Sequence, residues 1–439
     1  MKILIISYYF PPYNAIGAVR VGHTARLLAD LGHEVKVISA RDQVLAADLP
    51  LQAPSVEVIR TPWLNVNQPI VWALGGREKV TSEGFQVSQR STLGKVMRAL
   101  GSLYYQVVNF PDGLIGWFPY ALQASFRVVE RWKPDLILAS YNPSASLLVA
   151  HLLSRVYGIP WVAEFRDLWS DNALNLSSSL RHILESALER RILRNASGLV
   201  TVSEPLAETL SKLYPDIPNT VVLNGFDAAP KPSPPSPMSQ TRPEQRRVRQ
   251  PNDPLHIVYT GMIYPGQRDP TPLFQAVKRL GSKQQLVQIH FYGRYQQNLH
   301  QLAERYDLQE QVHIHGTVDH ATSKRLQHEA DLLLLLIWLH PRGKVGYTGK
   351  LFEYIATGRP ILAIVPEGGV AAHMIEERGL GYVAQEPEQI AELLTHTLDH
   401  PEALEARPAE AREGLSRLEQ VRKLVGFLDG IVASAPVLP

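Results

Sequence analysis

The chain opens "MKILIISYYFPPYNAIGAVRVGHTARLLADLGHEVKVISA", Met1 to Ala40, and the order of patterns within it decides the fold. The run "KILIISYYF" (2–10) is apolar throughout, as a parallel strand buried on both faces must be. Pro11 and Pro12 end it too early for a secretory signal. A loop, "PPYNAIGAV" (11–19), leads to "RVGHTARLLADLG" (20–32), a helical pattern closed by Gly32 in the usual C-terminal place. "HEVKVISA" (33–40) is a second strand. Strand, helix and strand in this order make a βαβ unit.

The alternation resumes after residue 119. Strand "DLILAS" (135–140) precedes helix "SASLLVAHLLSRVYG" (144–158) and strand "PWVAEF" (160–165). After a further helix come strand "GLVTVS" (198–203), helix "EPLAETLSKLY" (204–214) and strand "TVVLN" (220–224). Residues 228–254 are rich in Pro, Ser and Arg without apolar periodicity, which is a linker composition. A second alternating series then starts at "HIVYTGMI" (256–263) and includes "DLLLLLIWLH" (331–340), an apolar run far too short to span a membrane.

The expected class is therefore α/β, with two doubly wound Rossmann-like domains and a cleft between them. The boundaries read as 1–227, a linker at 228–254, 255–412, and a final helix at 413–439 that can cross back to the first domain. Residues 62–119 fit no βαβ unit and form an insertion. Its basic amphipathic part, 92–119, is either a helix packed on its own domain or a peripheral membrane contact.

Composition narrows the partners. With 439 residues, 44 Lys and Arg against 42 Asp and Glu, and no cysteine, the chain lacks the concentrated basic surface that nucleic-acid binding needs. It has no thiol chemistry or disulfides, and a cytoplasmic, soluble or membrane-peripheral protein is expected. There is no Asp-x-Asp pair, no His-Glu-x-x-His, no phosphate-binding P-loop and no Gly-x-Ser-x-Gly, so metal, kinase-type and serine-hydrolase signatures are missing.

Three strand-end loops carry chemistry. In "YFPPYNAIGAVR", Gly17 stands just before the expected helix, where it serves either a tight turn or an anion approaching the helix amides. In "AEFRDLWSDN", Arg166 and Asp167 follow a buried strand, as a structural ion pair or cap, or as groups facing a sugar. In "GYTGKLFEYIATGRPILAI" (346–364), Thr348 is the expected N-cap of a short helix that Gly358 ends. Lys350 then falls in the first turn, where the helix dipole disfavours a cation. An ordinary surface pair with Glu353 contributes little and leaves Gly346 and Gly349 unexplained. A diphosphate held by the free amides and Lys350 accounts for all of them, with Glu353 one turn deeper accepting from ribose hydroxyls.

The ordered set "MKILIISYYFPPYNAIGAVR", "PDLILASYNP", "IPWVAEFRDLWSD", "VTVSEPL", "VLNGFD", "IVYTGMIYPG", "VHIHGTV" and "GKLFEYIATGRPILAI" resembles the family 4 glycosyltransferases of GT-B architecture. The resemblance implies retaining transfer from a nucleotide-sugar donor, UDP-linked by family habit, held mainly by the C-terminal domain. Glu353 matches the family's ribose-binding glutamate, the second of a Glu-x7-Glu motif, and Val345 stands where the first belongs. The family's phosphate-binding Arg and Lys align with Met262 and Gln267, leaving Arg268 and Lys350 as the substitutes. Gly17 aligns with a loop facing donor phosphate and acceptor, and Asp167 with a polar position near the sugar. Asp167, Gly17 and Lys350 are thus the candidate catalytic positions. Glu353, Arg268, Gly349, Thr348, Gly261, Gly293 and Gly316 are the candidate donor-binding positions.

No metal or cofactor is implied, since the nucleotide-sugar is a substrate. The expected acceptor is a glycan or lipid-linked sugar in surface polysaccharide or glycolipid synthesis. Two alternatives stay open: a nucleotide-sugar epimerase of the same fold, and a catalytically silent scaffold.

Overall fold

The structure, a computed structural model, describes residues 1–49, 51, 53–68, 80–81, 84–85, 108–170, 179–227, 253–263, 266–294 and 297–434. The expected linker lies almost wholly outside these residues, as do 92–107 of the amphipathic segment. The chain divides into two compact units. The first comprises Met1–Val202, Leu206–Val222 and Val421–Pro439; the second comprises Ser203–Pro205 and Leu223–Gln420.

In the first unit, β1 (Lys2–Ile6), β2 (Glu34–Ala40), β3 (Glu57–Thr61), β4 (Leu136–Tyr141), β5 (Trp161–Phe165), β6 (Gly198–Thr201) and β7 (Asn219–Val221) form one sheet. Its order is β3–β2–β1–β4–β5–β6–β7, and neighbouring strands are parallel throughout. This is the doubly wound order, in which winding reverses between β1 and β4. The connecting helices are α1 (Ile16–Asp30), α2 (Phe118–Trp132), α3 (Ser144–Tyr157), α4 (Ser179–Leu193) and α5 (Glu204–Leu213).

Several boundaries differ from the sequence reading, and β1 ends at Ile6 rather than Phe10. Helix α1 starts at Ile16 rather than Arg20, so Gly17 lies in its first turn and not in the loop before it. Ala15, extended and without a side-chain cap, is the N-cap, so the sequence carries no Ser, Thr or Asp signal for this start. The residues "FPYAL", read as the end of the amphipathic segment, instead open α2, whose early Pro119 suits a first helical turn.

The second unit repeats the plan. Strands β8 (Leu255–Thr260), β9 (Val287–Tyr292), β10 (Val312–Gly316), β11 (Leu332–Leu336), β12 (Ile361–Ile364) and β13 (Gly381–Val383) are ordered β10–β9–β8–β11–β12–β13, all parallel. Helices α6 (Thr271–Arg279), α7 (Gln297–Arg305), α8 (His320–Glu329), α9 (Gly349–Thr357), α10 (Val370–Glu377) and α11 (Pro387–Asp399) connect them.

The five leucines of β11 show why an unbroken apolar run is needed. Leu332, Leu334 and Leu336 pack among α6, α7 and α11 residues such as Phe274, Leu299 and Leu394. Leu333 and Leu335 point to the opposite face, against Leu351, Phe352 and Ile355 of α9 and Ile375 of α10. Each fully buried leucine is worth about 1.5–3 kcal/mol. A polar residue at any of the five would meet a dry layer on one side or the other.

The last helix, α12 (Arg417–Ser434), starts in the second unit and from Val421 onward belongs to the first. Val421, Leu424, Leu428 and Ile431, spaced by three and four, share the first unit's core with Ile3, Ile5 and Val35. Among the described residues, no helix is long and apolar enough to cross a membrane.

Candidate functional site

In the second unit the winding reverses between β8 and β11, and the candidate positions gather at the carboxyl end of β8. Gly261 leaves the strand with φ +138°, and Gly293 leaves β9 with φ +150°. The Gly261 amide donates to the Tyr292 carbonyl at 2.6 Å, and the Gly293 amide to the Gly316 carbonyl at 2.6 Å. A Cβ on Gly293 would lie 2.0 Å from the Gly261 carbonyl oxygen, so the backbones themselves require glycine. The three glycines therefore form one step-like rim across β8, β9 and β10.

Lys350 lies over this rim. A Cβ on Gly261 would sit 2.0 Å from its Nζ, which is 5.2 Å from the Tyr259 ring centroid. Burial and then the nearby Arg268 cation lower the Lys350 ammonium to about 8, against a smaller opposing pull from Glu353. No described carboxylate pairs with Lys350 at ion-pair distance, so the surface pair with Glu353 is not formed. Arg268 Nη1 donates to the Met262 carbonyl at 3.2 Å, and the Tyr259 hydroxyl donates to the same oxygen at 2.9 Å. Two cations thus converge beside an aromatic ring.

Helix α9 supplies the third component. Thr348 is its N-cap, with Oγ1 accepting from the Leu351 amide at 3.4 Å, and Gly358 closes it in the left-handed conformation. Neither Gly346 nor Gly349 has a neighbour within 4 Å of where a Cβ would be, so packing does not demand glycine there. The open space lies at the helix end where amides lack partners. At Val345 the carbonyl accepts from Ser203 Oγ at 2.6 Å.

Glu353 is half-buried, and its Oε2 faces the amide nitrogen of Gln327 at 3.4 Å. That nitrogen also reaches Thr260 Oγ1 at 2.9 Å, while the Tyr354 hydroxyl accepts from the Thr260 amide at 3.1 Å. Gln327, Tyr259 and Tyr354 were not marked by the sequence reading. A glutamine in "TSKRLQHEA" resembles any polar residue of a short amphipathic helix, and its partners are distant in sequence.

The first unit carries a separate group at its own winding reversal. A Cβ on Gly17 would lie 2.3 Å from Nη1 of Arg166. Arg166 Nε donates to the Tyr141 carbonyl at 3.2 Å and Nη2 to the Asn142 carbonyl at 3.5 Å. Burial lowers the Arg166 guanidinium, and Glu164 and Asp167 act in the opposite direction. Asp167 is exposed, and Glu164 is committed to a buried ion pair with Arg20 at 2.9 Å. So Lys350, Arg268, Gly261, Gly293, Gly316, Thr348, Gly349 and Glu353 belong to one arrangement in the second unit. Gly17 and Asp167 belong to another in the first. Among the described residues, no group of three His, Asp or Glu is arranged to hold a metal ion.

Residues 17–225 match a family model described as a glycosyl transferase 4-like domain, and residues 254–400 match glycosyl transferases group 1. A 2-deoxystreptamine glucosyltransferase from Streptomyces kanamyceticus is 26% identical over 36% of this chain and 45% of its own length. A 2-deoxystreptamine N-acetyl-D-glucosaminyltransferase from Streptomyces fradiae is 29% identical over 32% of each chain. The match thus spans less than half of either relative.

Among solved structures, sucrose-phosphate synthase from Thermosynechococcus elongatus aligns over 99% of this chain and 100% of its own, at TM-score 0.61 and 14% identity. HepE of Anabaena, in complex with UDP and glucose, aligns over 98% and 100%, at TM-score 0.60 and 17% identity. These likenesses concern the fold, which is of GT-B type. With both of its sheets matched by glycosyltransferase models in the expected order, the chain belongs to the family 4 glycosyltransferases.

Proposed function

We propose that the protein transfers a sugar from a nucleoside-diphosphate donor to a glycan or lipid-linked acceptor, with retention of anomeric configuration. One observation carries the reading. Lys350, close to Arg268 and without a carboxylate partner among the described residues, stands at the start of α9 over a rim that only glycine can form. Burying a cation beside another is costly without an anion to offset it. A diphosphate supplies that anion and also accepts from the helix amides.

The chemistry follows from the leaving group. As the glycosidic bond to the β-phosphate breaks, negative charge builds on phosphate oxygen, and fixed cations and amides stabilise it more than they stabilise the bound donor. Lys350, Arg268 and the amides of α9 are assigned this role. The acceptor oxygen attacks the same face and gives its proton to the departing phosphate. Glu353 accepts from the ribose. A uridine nucleotide is the donor of choice because HepE, of the same fold, is seen with UDP and glucose. We assign acceptor recognition to the first unit, with Asp167 and Arg166 near the sugar. The acceptor fits surface polysaccharide or glycolipid synthesis on the cytoplasmic side of the membrane.

A thermal-shift screen with UDP, GDP, ADP and dTDP tests the reading. A ligand at a hundred times its Kd stabilises by about 2.7 kcal/mol, an easily read shift. Stabilisation by one diphosphate and weak response to its nucleoside is the expected result. No response to any of the four overturns the enzyme assignment, and a product of inverted anomeric configuration overturns retention.

A further inference from the structure

Gln327 is 1% exposed, unusual for a side chain with two donors and an acceptor, and its surroundings explain its presence. On α8 it lies one turn after Ser323, on the same face. Its Nε2 has three oxygens within reach: Thr260 Oγ1 at 2.9 Å, Ser323 Oγ at 3.3 Å and Glu353 Oε2 at 3.4 Å. An ionised carboxylate only accepts, so the amide nitrogen, and not its oxygen, must be the end turned to Glu353. Thr260 fixes that orientation from the end of β8. It is held in turn by Tyr354, whose hydroxyl accepts from the Thr260 amide. No described residue bonds Oε1 of Glu353.

We propose that Gln327 is a positioning residue that holds Oε2 of Glu353 and thereby presents Oε1 to the vicinal ribose hydroxyls of the donor. The inference rests on the nucleotide reading given above. A glutamate alone on a helix samples several rotamers, and only some direct an oxygen at a ribose. One bond to a fully buried, multiply held amide selects among them before the ligand arrives. The network thereby makes the site selective for ribonucleotides without Gln327 touching them.

The test compares binding of UDP and its 2′,3′-dideoxy counterpart to the full chain by calorimetry. The wild-type protein is expected to prefer the ribonucleotide by about tenfold, the scale of a hydrogen bond to a charged group. Gln327→Met keeps the length and removes the donor. It is expected to reduce that preference to about twofold while leaving the dideoxy affinity within a factor of two. Glu353→Ala should abolish the preference, and adding Gln327→Met to it should change nothing further. Gln327→Asn, which withdraws the amide by one carbon but stays polar, gives the same readout should the methionine variant fail to fold.

Parallel loss of both affinities in Gln327→Met would mean a merely structural role and overturn the proposal, as would an undiminished preference. A wild-type protein that binds UDP and its dideoxy form equally removes the ribose role of Glu353 and this proposal with it. Failure to bind any diphosphate instead removes the nucleotide reading itself.

Discussion

The two sheets reverse their winding at the same topological place, between first and fourth strands, and each sets a glycine against a cation there. Gly17 faces Arg166 in the first unit, and Gly261 faces Lys350 in the second. The cations are held differently. Arg166 is tied to the carbonyls of Tyr141 and Asn142, with the carboxylates of Glu164 and Asp167 acting on it. Lys350 has an aromatic ring beneath it, another cation beside it, and an ammonium lowered to about 8. Arg166 is thus held by backbone carbonyls, whereas among the described residues no carboxylate lies within ion-pair distance of Lys350. On the function proposed above, the same topology serves as a braced wall in one unit and as a receptor for negative charge in the other.

The largest effect is expected at Gly261. Its φ of +138° is strained for any other residue, and a Cβ would displace Lys350 from the rim. Gly261→Ala should cost about 1–3 kcal/mol of stability from backbone strain alone. It should also weaken the diphosphate more than any single side-chain deletion. Denaturant melts and calorimetry on one preparation read both quantities. An unchanged affinity would mean that Lys350 does not need its place over the glycine.

Removing the cation itself comes next. Lys350→Ala should weaken UDP by about tenfold to a hundredfold, the range for a hydrogen bond to a charged group. Uridine binding should stay unchanged. Lys350→Arg is not a conservative rescue, because the larger planar fork must fit between Gly261, Arg268 and Tyr259. Equal losses for nucleotide and nucleoside would place Lys350 away from the phosphates.

How much of this was legible in the sequence depends on range. The strands could be read because doubly covered strands must be apolar throughout, as at Leu332–Leu336. The frame of α9 could be read because Thr348 and Gly358 are local signals. The start of α1 could not, since Ala15 caps it with backbone alone. Lys350 stood out by charge and Arg268 by the family resemblance, yet Tyr259, whose ring lies beneath the lysine, is far away along the chain and gave no signal. Gln327 was invisible for the same reason. Its role comes from contacts with β8 and α9, and a single sequence does not record which helices share a sheet face.

The titration of Lys350 sharpens the contrast with Arg166, which stays charged at every accessible pH. The folded lysine is lowered from 10.5 to about 8, so between these values the unfolded chain binds more protons. The contribution of this group to stability therefore rises with pH across that window. Diphosphate binding needs the charged form and should fall as pH rises through about 8. Opposite slopes for unliganded stability and for UDP affinity are the expected signature, and Lys350→Ala should flatten both. His290 gives a separate acid arm. Burial and its neighbours His313, His256 and His315 lower it to about 4, so its contribution to stability is lost as pH falls from 6.5 towards 4. Affinity and stability that fall together above pH 8 would reject Lys350 as the group responsible.

The smallest effect is expected at Gly17, although the clash there is nearly as close as at Gly261. Gly17 lies in the first turn of α1, and no left-handed conformation holds it. Alanine also favours a helix over glycine by about 1 kcal/mol. The atoms it would meet belong to the far end of Arg166, which can move by rotating its own side chain. Loss of the bonds to Tyr141 and Asn142 then roughly offsets the helical gain. Gly17→Ala should leave the melting temperature within a few degrees of wild type and UDP affinity within about twofold. Were it to weaken UDP as strongly as Gly261→Ala, the first unit would also have to hold the diphosphate, and the distinction between brace and receptor would fail.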